Sequence, residues 1–434
     1  MGGRRSVSVA LLGLGVVGSG VARILAQKAE GYARELGCPL ELTRVLVRDP
    51  AKERDLAIDQ RLLTTDPSTI LDDPEVAVVI EVLGGEEPAY RYLCDALRAG
   101  KYAVTANKEV MAKHGPALLA LAQERGVDVL YEASVGGGIP IIAPLKRDLL
   151  ANEIISLAAI INGTTNYILT AMSRDGRELA EALADAQRLG YAEADPTNDV
   201  EGIDAAYKLA ILASLAFHGE VRPEDVYREG IGSLTARDFV YARELGYEIK
   251  LLALARRIGS GPAVQVRVHP ALLPVEEPLA KVDGVLNAVQ VEGDLLGRTL
   301  FQGQGAGSLP TTSAVVADLL DAAHRVVSGV HQRLAWRGEA PLRIVPMGDL
   351  RTRYYLRIWV TDRPGVLAQI ARVLGDAQIS IASVLQKEAD EDAGTAELVL
   401  MSHESQESDM QRALGEVAAL PVVAGIGAFL RVEG

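Results

Sequence analysis

The sequence predicts an α/β protein built from a doubly wound parallel sheet, an α+β domain and a small βαββαβ module, in that order. Apolar strands alternate with amphipathic helices from Val7 to about Tyr131, a pattern typical of parallel strands joined by helical crossovers. From Ser134 to about Ser328 the helices are longer and the strands more dispersed. A compact pattern of strands and helices begins again at residue 353. These changes of pattern predict three structural parts.

Length and composition limit the class of protein. A chain of 434 residues with 49% hydrophobic and 24% charged residues has enough apolar material for two or three cores. It has no apolar run of the ~20 residues that cross a bilayer, and its formal net charge of −14 disfavours nucleic acid as a main partner. Cys38 and Cys94 lack the spacing of a metal site or a disulfide framework. We therefore expect a cytoplasmic protein without a membrane or nucleic-acid partner.

The first domain is expected over residues 1–134. Helices separate its strands, so neighbouring strands should run parallel with right-handed connections. The predicted strands are Val7–Leu12, Leu40–Val47, Val76–Val82, Tyr102–Thr105 and Val127–Tyr131. The predicted helices are Val17–Leu36, Pro88–Ala99 and Glu109–Glu124. A later helix, from Thr311 onward, should pack back on this domain, so that residues 305–328 complete it.

Residues 135–304 are predicted to form an α+β domain for substrate binding and dimerisation, and residues 329–352 a linker. The predicted strands of the α+β domain are Ile154–Ile161, Ile249–Ala255, Ala263–Val268 and Leu286–Val291. The linker is predicted from the turn-forming residues Gly338, Pro341, Pro346 and Gly348.

The module at residues 353–434 is predicted to follow the ferredoxin-like plan, because its elements come in the order βαββαβ. The predicted strands are Tyr354–Val360, Ile379–Gln386, Ala396–Ser402 and Val422–Val432. The predicted helices are Gly365–Leu374 and Ser405–Val417.

A glycine loop joins the first predicted strand to the first predicted helix. In a dinucleotide-binding loop of this form, the first glycine permits a tight turn, the second lets the backbone approach a pyrophosphate, and the third lets helix and strand pack closely. The N-terminus of the helix then offers N–H groups to the phosphates. The sequence thus predicts a Rossmann-type domain that binds NAD or NADP, although a tight turn without a ligand would also use glycines. The loop residues are Gly13, Leu14, Gly15, Val16, Val17 and Gly18.

The choice between the two nucleotides is expected to depend on the end of the second strand. An acidic residue there suits the ribose 2′-hydroxyl of NAD, whereas an arginine accommodates the 2′-phosphate of NADP. The chain has both residues, as Arg48 and Asp49. Arg48 favours NADP, and a surface charge pair is the alternative.

Five segments resemble homoserine dehydrogenases, and together they cover most of the predicted catalytic region. They are Thr105–Lys108, Tyr131–Pro140, Ile161–Asn166, Leu189–Lys208 and Gly303–Gly307. The resemblance implies reversible hydride transfer between homoserine and aspartate 4-semialdehyde, in threonine and methionine biosynthesis.

The resemblance also assigns roles to individual residues. It implies a proton donor and acceptor, an acidic neighbour and a lysine near the nicotinamide, which are Lys208, Asp204 and Lys108. It implies substrate-binding residues at Glu193, Gly190 and Asp199. It implies that Lys108 and Gly305 contact the cofactor beyond the glycine loop, in addition to Arg48, which is expected there from its place at the end of the second strand. It implies a monovalent cation, usually sodium, held near Glu132 and by the main-chain oxygens of Val135, Gly137 and Ile139.

Part of this chemistry follows from the residues alone. Asp204 and Lys208 are four residues apart, so on a helix they share a face, and the apolar run Leu209–Phe217 predicts that the rest of that helix is buried. Oxidation of an alcohol needs a group that takes the hydroxyl proton, and a lysine at the edge of a buried helix could do so. An ordinary ion pair between the two side chains is the alternative.

Two further features could bind charged groups. Acidic residues crowd the segment before the helix and would repel one another unless a cation or a substrate ammonium neutralised them; they are Glu193, Asp195, Asp199 and Glu201. The main-chain oxygens near Gly136–Gly138 could hold a hard cation, since such ions prefer oxygen ligands. A flexible connection between domains would also explain these glycines.

The C-terminal module contains Asp362-Arg363-Pro364-Gly365-Val366-Leu367 between a predicted strand and a predicted helix. This turn resembles the ligand-binding turn of ACT domains. The resemblance implies paired modules that bind an amino acid, with threonine as the effector, and a homodimer or homotetramer. A module that only dimerises the enzyme is the alternative.

Two other functions share features of this sequence. Aspartate-semialdehyde dehydrogenase shares the cofactor fold, but its acyl step needs a cysteine nucleophile, and Cys38 and Cys94 lie outside the predicted site. A non-catalytic amino-acid sensor would not need Lys108 and Lys208.

Overall fold

The computed structural model describes residues 6–54, 56, 58–330, 341–390 and 394–434. Residues 331–340 of the predicted linker, Gly338 among them, lie outside the described residues. The chain divides into two compact units. The first comprises Met1–Ile154, Tyr207–Pro223 and Glu292–Leu342. The second comprises Ile155–Ala206, Glu224–Val291 and Arg343–Gly434. The domain limits predicted from the sequence stay a prediction.

The elements follow one another in three stretches of chain. The first stretch forms β1 (Val7–Leu12), α1 (Val16–Gln27), α2 (Ala29–Leu36), β2 (Leu40–Leu46), β3 (Leu63–Thr64), α3 (Ser68–Leu71), β4 (Val76–Glu81), α4 (Ala89–Arg98), β5 (Tyr102–Thr105), α5 (Lys108–Arg125), β6 (Val129–Leu130) and α6 (Ile142–Lys146). The second forms β7 (Ile154–Ile160), α7 (Gly163–Asp175), α8 (Leu179–Arg188), α9 (Thr197–Val200), α10 (Ile203–Ala216), β8 (Tyr227–Arg228), α11 (Ala236–Glu244), β9 (Tyr247–Arg257), β10 (Ala263–Pro274), β11 (Leu286–Gly293), β12 (Gly297–Gln304) and α12 (Ser308–Ser328). The third forms β13 (Arg343–Ile344), β14 (Arg351–Thr361), α13 (Val366–Asp376), β15 (Ile381–Asp390), β16 (Thr395–Ser402), β17 (Ser405–Gln406), α14 (Glu407–Ala418) and β18 (Val423–Val432).

The sheet of the first unit has the strand order β3-β2-β1-β4-β5-β6, and every neighbouring pair is parallel. This order confirms the predicted Rossmann-type doubly wound sheet. Its central strand β4 is buried along its whole length, as expected for a parallel strand covered on both faces. The register places Leu12, Glu81 and Thr105 level with one another at the carboxyl ends of β1, β4 and β5.

Helix α12 belongs to the same unit and packs on the sheet helices. A Cβ atom added to Gly20 of α1 would lie only 2.2 Å from Oγ1 of Thr312, so the two helices are in direct contact there. A glycine permits this approach because it has no side chain to separate the backbones.

The sheet of the second unit contains the order β11-β7-β9-β10-β18-β14-β16-β15. Strands β9 and β10 form a long antiparallel pair. The C-terminal elements β14, α13, β15, β16, α14 and β18 confirm the ferredoxin-like βαββαβ order. Their sheet continues that of the α+β part, because β18 pairs with β10 through Ala271–Arg431 and Leu272–Val432. Helices α13 and α14 cover one face of the module around a core that includes Ile370.

The structure differs from the sequence prediction in several places in the first unit, among them the short helices α3 and α6, which were not predicted. The predicted helix Val17–Leu36 is two helices, because Lys28 has φ −110° and ψ 14°, outside helical values. The sheet also has an edge strand, β3, that was not predicted, and its two residues are too few to show an alternating pattern. Within the described residues, none of the helices is long and apolar enough to cross a membrane.

Candidate active site

The glycine loop lies between β1 and α1, as predicted. Gly18 is in close contact with the strand end, since a Cβ atom there would lie 2.2 Å from the carbonyl oxygen of Gly13. Gly15 caps α1, and a Cβ atom on it would meet no protein atom within 4 Å among the described residues. The loop is therefore closed on the side of the sheet and open at Gly15, which is the shape that a bound pyrophosphate needs.

The carboxyl end of β2 presents Arg48 and Asp49, and both side chains are exposed. The Asp49 carboxylate accepts a hydrogen bond from the backbone N–H of Ala51 at 2.8 Å, which is a local turn interaction. Arg54 donates to the carbonyl oxygen of Asp49 at 2.8 Å. The side chain of Asp49 thus has a structural use in its own turn.

Lys108 is the first residue of α5 and is exposed. Asn107 caps this helix, because its Oδ1 atom accepts a hydrogen bond from Val110 N at 3.1 Å. The Asn107 side chain also donates to the carbonyl oxygen of Gly85 at 2.7 Å. The position of Lys108 is therefore set by a capped helix end that is tied to the loop after β4.

Glu132 is buried, and its carboxylate caps the short helix α6. Oε1 accepts hydrogen bonds from the N–H groups of Ile141 and Ile142 at 2.6 and 2.8 Å, and Oε2 accepts one from Ala143 at 2.7 Å. Asp318 of α12 accepts a hydrogen bond from the Glu132 N–H at 2.8 Å, and burial raises the pKa of Asp318 to about 8. Both oxygens of the Glu132 side chain are thus already used within the protein.

The glycine segment after Glu132 lies against the loop that contains Gly305. A Cβ atom on Gly137 would lie 2.4 Å from the Gly305 carbonyl oxygen, and Gly137 has a positive φ of 55°. Gly138 N–H donates to Gln304 at 3.0 Å. Val135, Ile139 and Gly305 are buried. The structure therefore brings two predicted segments together, and a glycine is required at 137 for both conformation and space.

In the second unit, Asn162 holds two acidic side chains side by side. Its Nδ2 group donates to Asp199 Oδ1 at 2.6 Å and to Asp204 Oδ2 at 2.9 Å. Its Oδ1 atom accepts from Thr165 N at 2.8 Å and so caps α7. Asp204 is 4% exposed and Asn162 is 5% exposed. One buried amide thus joins a helix cap to a pair of carboxylates, a concentration of negative charge that suits an ammonium group.

Gly190 and Glu193 lie in the exposed loop after α8. The loop is tied down by Thr164, whose hydroxyl donates to the Tyr191 carbonyl oxygen at 2.7 Å, and by Gln187, whose Nε2 donates to the Glu193 carbonyl oxygen at 3.1 Å. The side chain of Glu193 is exposed to solvent, so it is accessible to a ligand.

Helix α10 carries Asp204 in its first turn and Lys208 one turn later. Lys208 is partly exposed, whereas each residue from Leu209 to Phe217 is buried. The predicted buried helix with a lysine near its beginning is therefore present.

Sequence reasoning missed two polar residues that organise these sites. The sequence does not indicate that Asn162 bridges Asp199 and Asp204, because this contact joins residues about 40 positions apart in the chain. Glu81, which ends the buried strand β4, has no assigned role in the sequence prediction. A single charged residue at the end of the run Val-Ala-Val-Val-Ile was the available signal.

The parallel strand order and the open glycine loop define a dinucleotide-binding protein of the Rossmann type. Family models match in three places: the homoserine dehydrogenase NAD-binding domain over residues 13–132, homoserine dehydrogenase over residues 140–320, and the ACT domain over residues 354–422. The chain belongs to the homoserine dehydrogenase family, with a C-terminal ACT domain. The comparisons favour neither aspartate-semialdehyde dehydrogenase nor a non-catalytic sensor, and Cys38 and Cys94 are both buried.

Relatives match along the whole chain. The homoserine dehydrogenase of Pseudomonas aeruginosa is 44% identical over 434 residues, covering 99% of each chain, and that of Bacillus subtilis is 42% identical over 430 residues, also covering 99% of each. The crystal structure of a homoserine dehydrogenase from Thiobacillus denitrificans has a TM-score of 0.92 and 46% identity, covering 99% of this chain and 98% of that one. A hyperthermophilic archaeal homoserine dehydrogenase in complex with NADPH has a TM-score of 0.62 and 28% identity, covering 73% of this chain and 97% of that one.

Proposed function

We propose that the protein interconverts L-homoserine and L-aspartate 4-semialdehyde, with NADP preferred over NAD. The observation that carries this proposal is the arrangement on and around α10. Lys208 lies one turn after Asp204, and Asn162 holds Asp204 beside Asp199. Such a helix offers a negatively charged site for the substrate ammonium and, one turn further on, an amine that can accept a proton.

In this proposal each side chain has a defined task. Asp199 and Asp204 attract the α-ammonium group, and Glu193 with Gly190 holds the substrate from the neighbouring loop. Lys208 takes the hydroxyl proton during oxidation and returns it during reduction. Lys108 provides a positive charge for the substrate carboxylate or for the developing oxyanion.

NADP would occupy the glycine loop, where the open space at Gly15 and the N-terminus of α1 suit a pyrophosphate. The nicotinamide supplies the hydride acceptor when it is bound. Arg48 supports NADP, because its side chain is exposed at the strand end that selects the nucleotide, whereas Asp49 is used in its own turn. The Gly305 loop would close the site beside Gly137.

A sodium ion would fit the glycine segment through main-chain oxygens. Among the described hydrogen bonds, none is accepted by the carbonyl oxygens of Val135, Gly137 or Ile139, so they are available to a hard cation. The Glu132 carboxylate is already used to cap α6. We therefore propose that Glu132 shapes this site through the backbone, and that its side-chain oxygens stay with α6.

The ACT domain is proposed to bind threonine at the turn Asp362–Leu367 and to take part in a homodimer or homotetramer. Its strand β18 pairs with β10 of the α+β part, so a change at the effector turn has a continuous sheet through which to act. The protein would then be a cytoplasmic enzyme of threonine and methionine biosynthesis that its end product inhibits.

We expect the purified protein to oxidise NADPH when L-aspartate 4-semialdehyde is added, with a higher kcat/KM for NADPH than for NADH, because Arg48 can pair with the 2′-phosphate. Arg48→Ala should lower the preference by about tenfold or more, since a charge-assisted contact contributes about 1.5–3 kcal/mol. Threonine added to the same assay should slow it. Nucleotide oxidation that does not depend on the semialdehyde would contradict the proposal, and equal use of both nucleotides would contradict the role of Arg48.

A further inference from the structure

A glutamate lies fully buried at the carboxyl edge of the parallel sheet. Glu81 is the last residue of β4, and it is 0% exposed. A carboxyl group in such a place costs free energy unless hydrogen bonds replace its water. The five residues before it are apolar and pack as a central strand should. An apolar residue would therefore serve the strand equally well, and Glu81 differs from one only by its two carboxylate oxygens.

The register places those oxygens between two parts of the candidate site. Glu81 is level with Leu12 of β1 and with Thr105 of β5. Leu12 is followed by the glycine loop that begins at Gly13. Thr105 is followed by Ala106, Asn107 and Lys108. In a doubly wound sheet, ligands bind outside the carboxyl ends of the strands, where these segments start.

One carboxylate oxygen accepts a hydrogen bond from the loop after β4, and the other accepts one from the end of β5. The Leu83 N–H donates to Oε1 at 2.7 Å, and the Thr105 hydroxyl donates to Oε2 at 2.6 Å. The Thr105 hydroxyl in turn accepts a hydrogen bond from Asn107 N–H at 3.0 Å. Burial raises the pKa of Glu81, and the hydrogen bonds from Thr105 and Leu83 oppose this rise.

The chain of hydrogen bonds continues to Lys108. Asn107 caps α5 through Val110, and Lys108 is the first residue of that helix. The Asn107 amide also donates to Gly85, which belongs to the loop that Glu81 holds through Leu83. The carboxylate is thus linked to the start of α5 by two routes, one through Thr105 and one through the loop after β4.

We infer that Glu81 is a positioning residue for the reaction, which fixes Lys108 by holding Thr105 and the Leu83–Gly85 loop together at the carboxyl edge of the sheet. The inference rests on the proposed function, because it gives Lys108 a place beside the nicotinamide and the substrate. Glu81 itself touches neither of them in this account. It acts through Thr105, Asn107 and the helix cap.

The substitution Glu81→Gln tests this inference with little change of shape. An amide keeps one oxygen that can accept from the Leu83 N–H, but its NH2 group then donates to the Thr105 hydroxyl, which loses the acceptor for its own proton. We expect kcat to fall about 10- to 100-fold, since a misplacement of about 1 Å near the reacting atoms can cost that much. The Kd for NADPH, measured by fluorescence titration, should change by less than about threefold, because the glycine loop is untouched.

A second pair of variants tests the same contact from the other side. Thr105→Val removes the hydroxyl and should lower kcat as Glu81→Gln does, whereas Thr105→Ser keeps the hydroxyl and should restore most of the activity. The double variant with Glu81→Gln and Thr105→Val should be about as active as either single variant, because both remove one interaction. The variants Thr105→Val and Thr105→Ser also test the inference if Glu81→Gln does not fold.

Lys101→Met is the matched control, because Lys101 lies at the amino-terminal end of β5, whereas Glu81 and Thr105 lie at the carboxyl ends of their strands. Lys101 precedes β5, is 3% exposed, and donates to the Val76 carbonyl oxygen at 3.1 Å. Its loss should lower the melting temperature and leave kcat and KM unchanged. The inference is overturned if Glu81→Gln or Thr105→Val folds and keeps kcat within about threefold of the wild type, or if Lys101→Met loses kcat equally.

Labelling with an amine-reactive reagent separates this inference from the proposed function. If the wild type binds NADPH but does not turn over homoserine, the proposed function fails. The labelling rate of Lys108, followed by peptide mass spectrometry with and without NADPH, then decides the inference. A change of that rate in Glu81→Gln but not in Lys101→Met supports it, and equal rates in all three proteins overturn it.

Discussion

Replacing Lys208 by alanine is expected to lower kcat for homoserine oxidation by about 10²–10⁴-fold, the usual contribution of a positioned proton acceptor. The reason is chemical: the hydroxyl proton must leave as hydride goes to the nicotinamide, and Lys208 lies on α10 one turn after the buried Asp204. The protein should remain folded, because Lys208 is partly exposed and the core residues of the helix come after it.

Two further variants separate proton transfer from binding. Lys208→Arg places a permanently protonated guanidinium where the proposed oxidation needs an amine that can accept the hydroxyl proton. It should lose kcat almost as fully as Lys208→Ala while KM for homoserine changes less. Lys281→Ala, at an exposed position, should keep wild-type kinetics. If Lys208→Ala kept kcat within tenfold of the wild type, Lys208 would not be the proton acceptor.

The second large effect is expected on the free energy of unfolding, when Arg357 of β14 is replaced. This arginine is 0% exposed and joins the ACT domain to α11. Its Nε donates to Asp238 Oδ1 at 2.7 Å and its Nη1 to Glu397 Oε1 at 2.9 Å. Arg431 of β18 repeats this arrangement, with Glu229 at 2.8 Å and Glu407 at 2.9 Å. Each arginine thus links one carboxylate of the ACT domain to one from the α+β part.

Arg357→Met should lower the free energy of unfolding by about 3–5 kcal/mol, because it removes the counter-charge of the buried Asp238 and leaves Glu397 paired only with the half-exposed Arg237. Arg412→Met is the control, since Arg412 pairs with Asp409 at 2.7 Å on the surface of the same domain and is 60% exposed. Its effect should stay below about 1 kcal/mol. Denaturant titration of both variants measures the difference. Equal effects would mean that the buried network does not stabilise the protein.

The pH dependence of Arg357→Met has a defined sign. In the wild type, burial opposes ionisation of Glu397, but hydrogen bonds from Tyr241 and Arg357 outweigh it and lower the pKa. That contribution to stability is present above the ordinary glutamate pKa and is lost as pH falls through the lowered value. Without the Arg357 guanidinium, only Tyr241 and Arg237 oppose the effect of burial on Glu397, so its pKa should rise and the variant is penalised at neutral pH and less so in acid. The difference from the wild type should therefore shrink as pH falls towards about 4.

Much of the fold could be predicted from the sequence, because its signals are local. The glycine loop, the apolar run of β4 and the βαββαβ order each depend on residues close together in the chain. The two-residue strand β3 could not be predicted, since its hydrogen bonds to Val45 and Leu46 are set by tertiary packing. The pairing of β18 with β10 joins residues far apart in sequence, and no short pattern encodes it.

The candidate site, like the fold, has some features that the sequence indicates and others that it does not. Asp204 and Lys208 could be found from helical spacing, and the acidic residues from their density. The amide bridge from Asn162 could not, because an asparagine before a helix is expected as a cap whether or not its NH2 group has carboxylate partners. The sequence also does not show that the Glu132 carboxylate caps α6, because its donors are backbone N–H groups about ten residues further along the chain. The cation site itself stays a prediction.

The most direct test of the account follows an isotope rather than a rate. L-homoserine carrying two deuterium atoms on its hydroxyl-bearing carbon is incubated with NADP⁺ and the protein, and the nucleotide is analysed by mass spectrometry. Hydride transfer predicts reduced nucleotide that carries one deuterium, formed in equal amount with a semialdehyde that keeps the other. Consumption of homoserine without deuterium on the nucleotide, or no reduction of either NADP⁺ or NAD⁺ by the folded protein, would contradict the account.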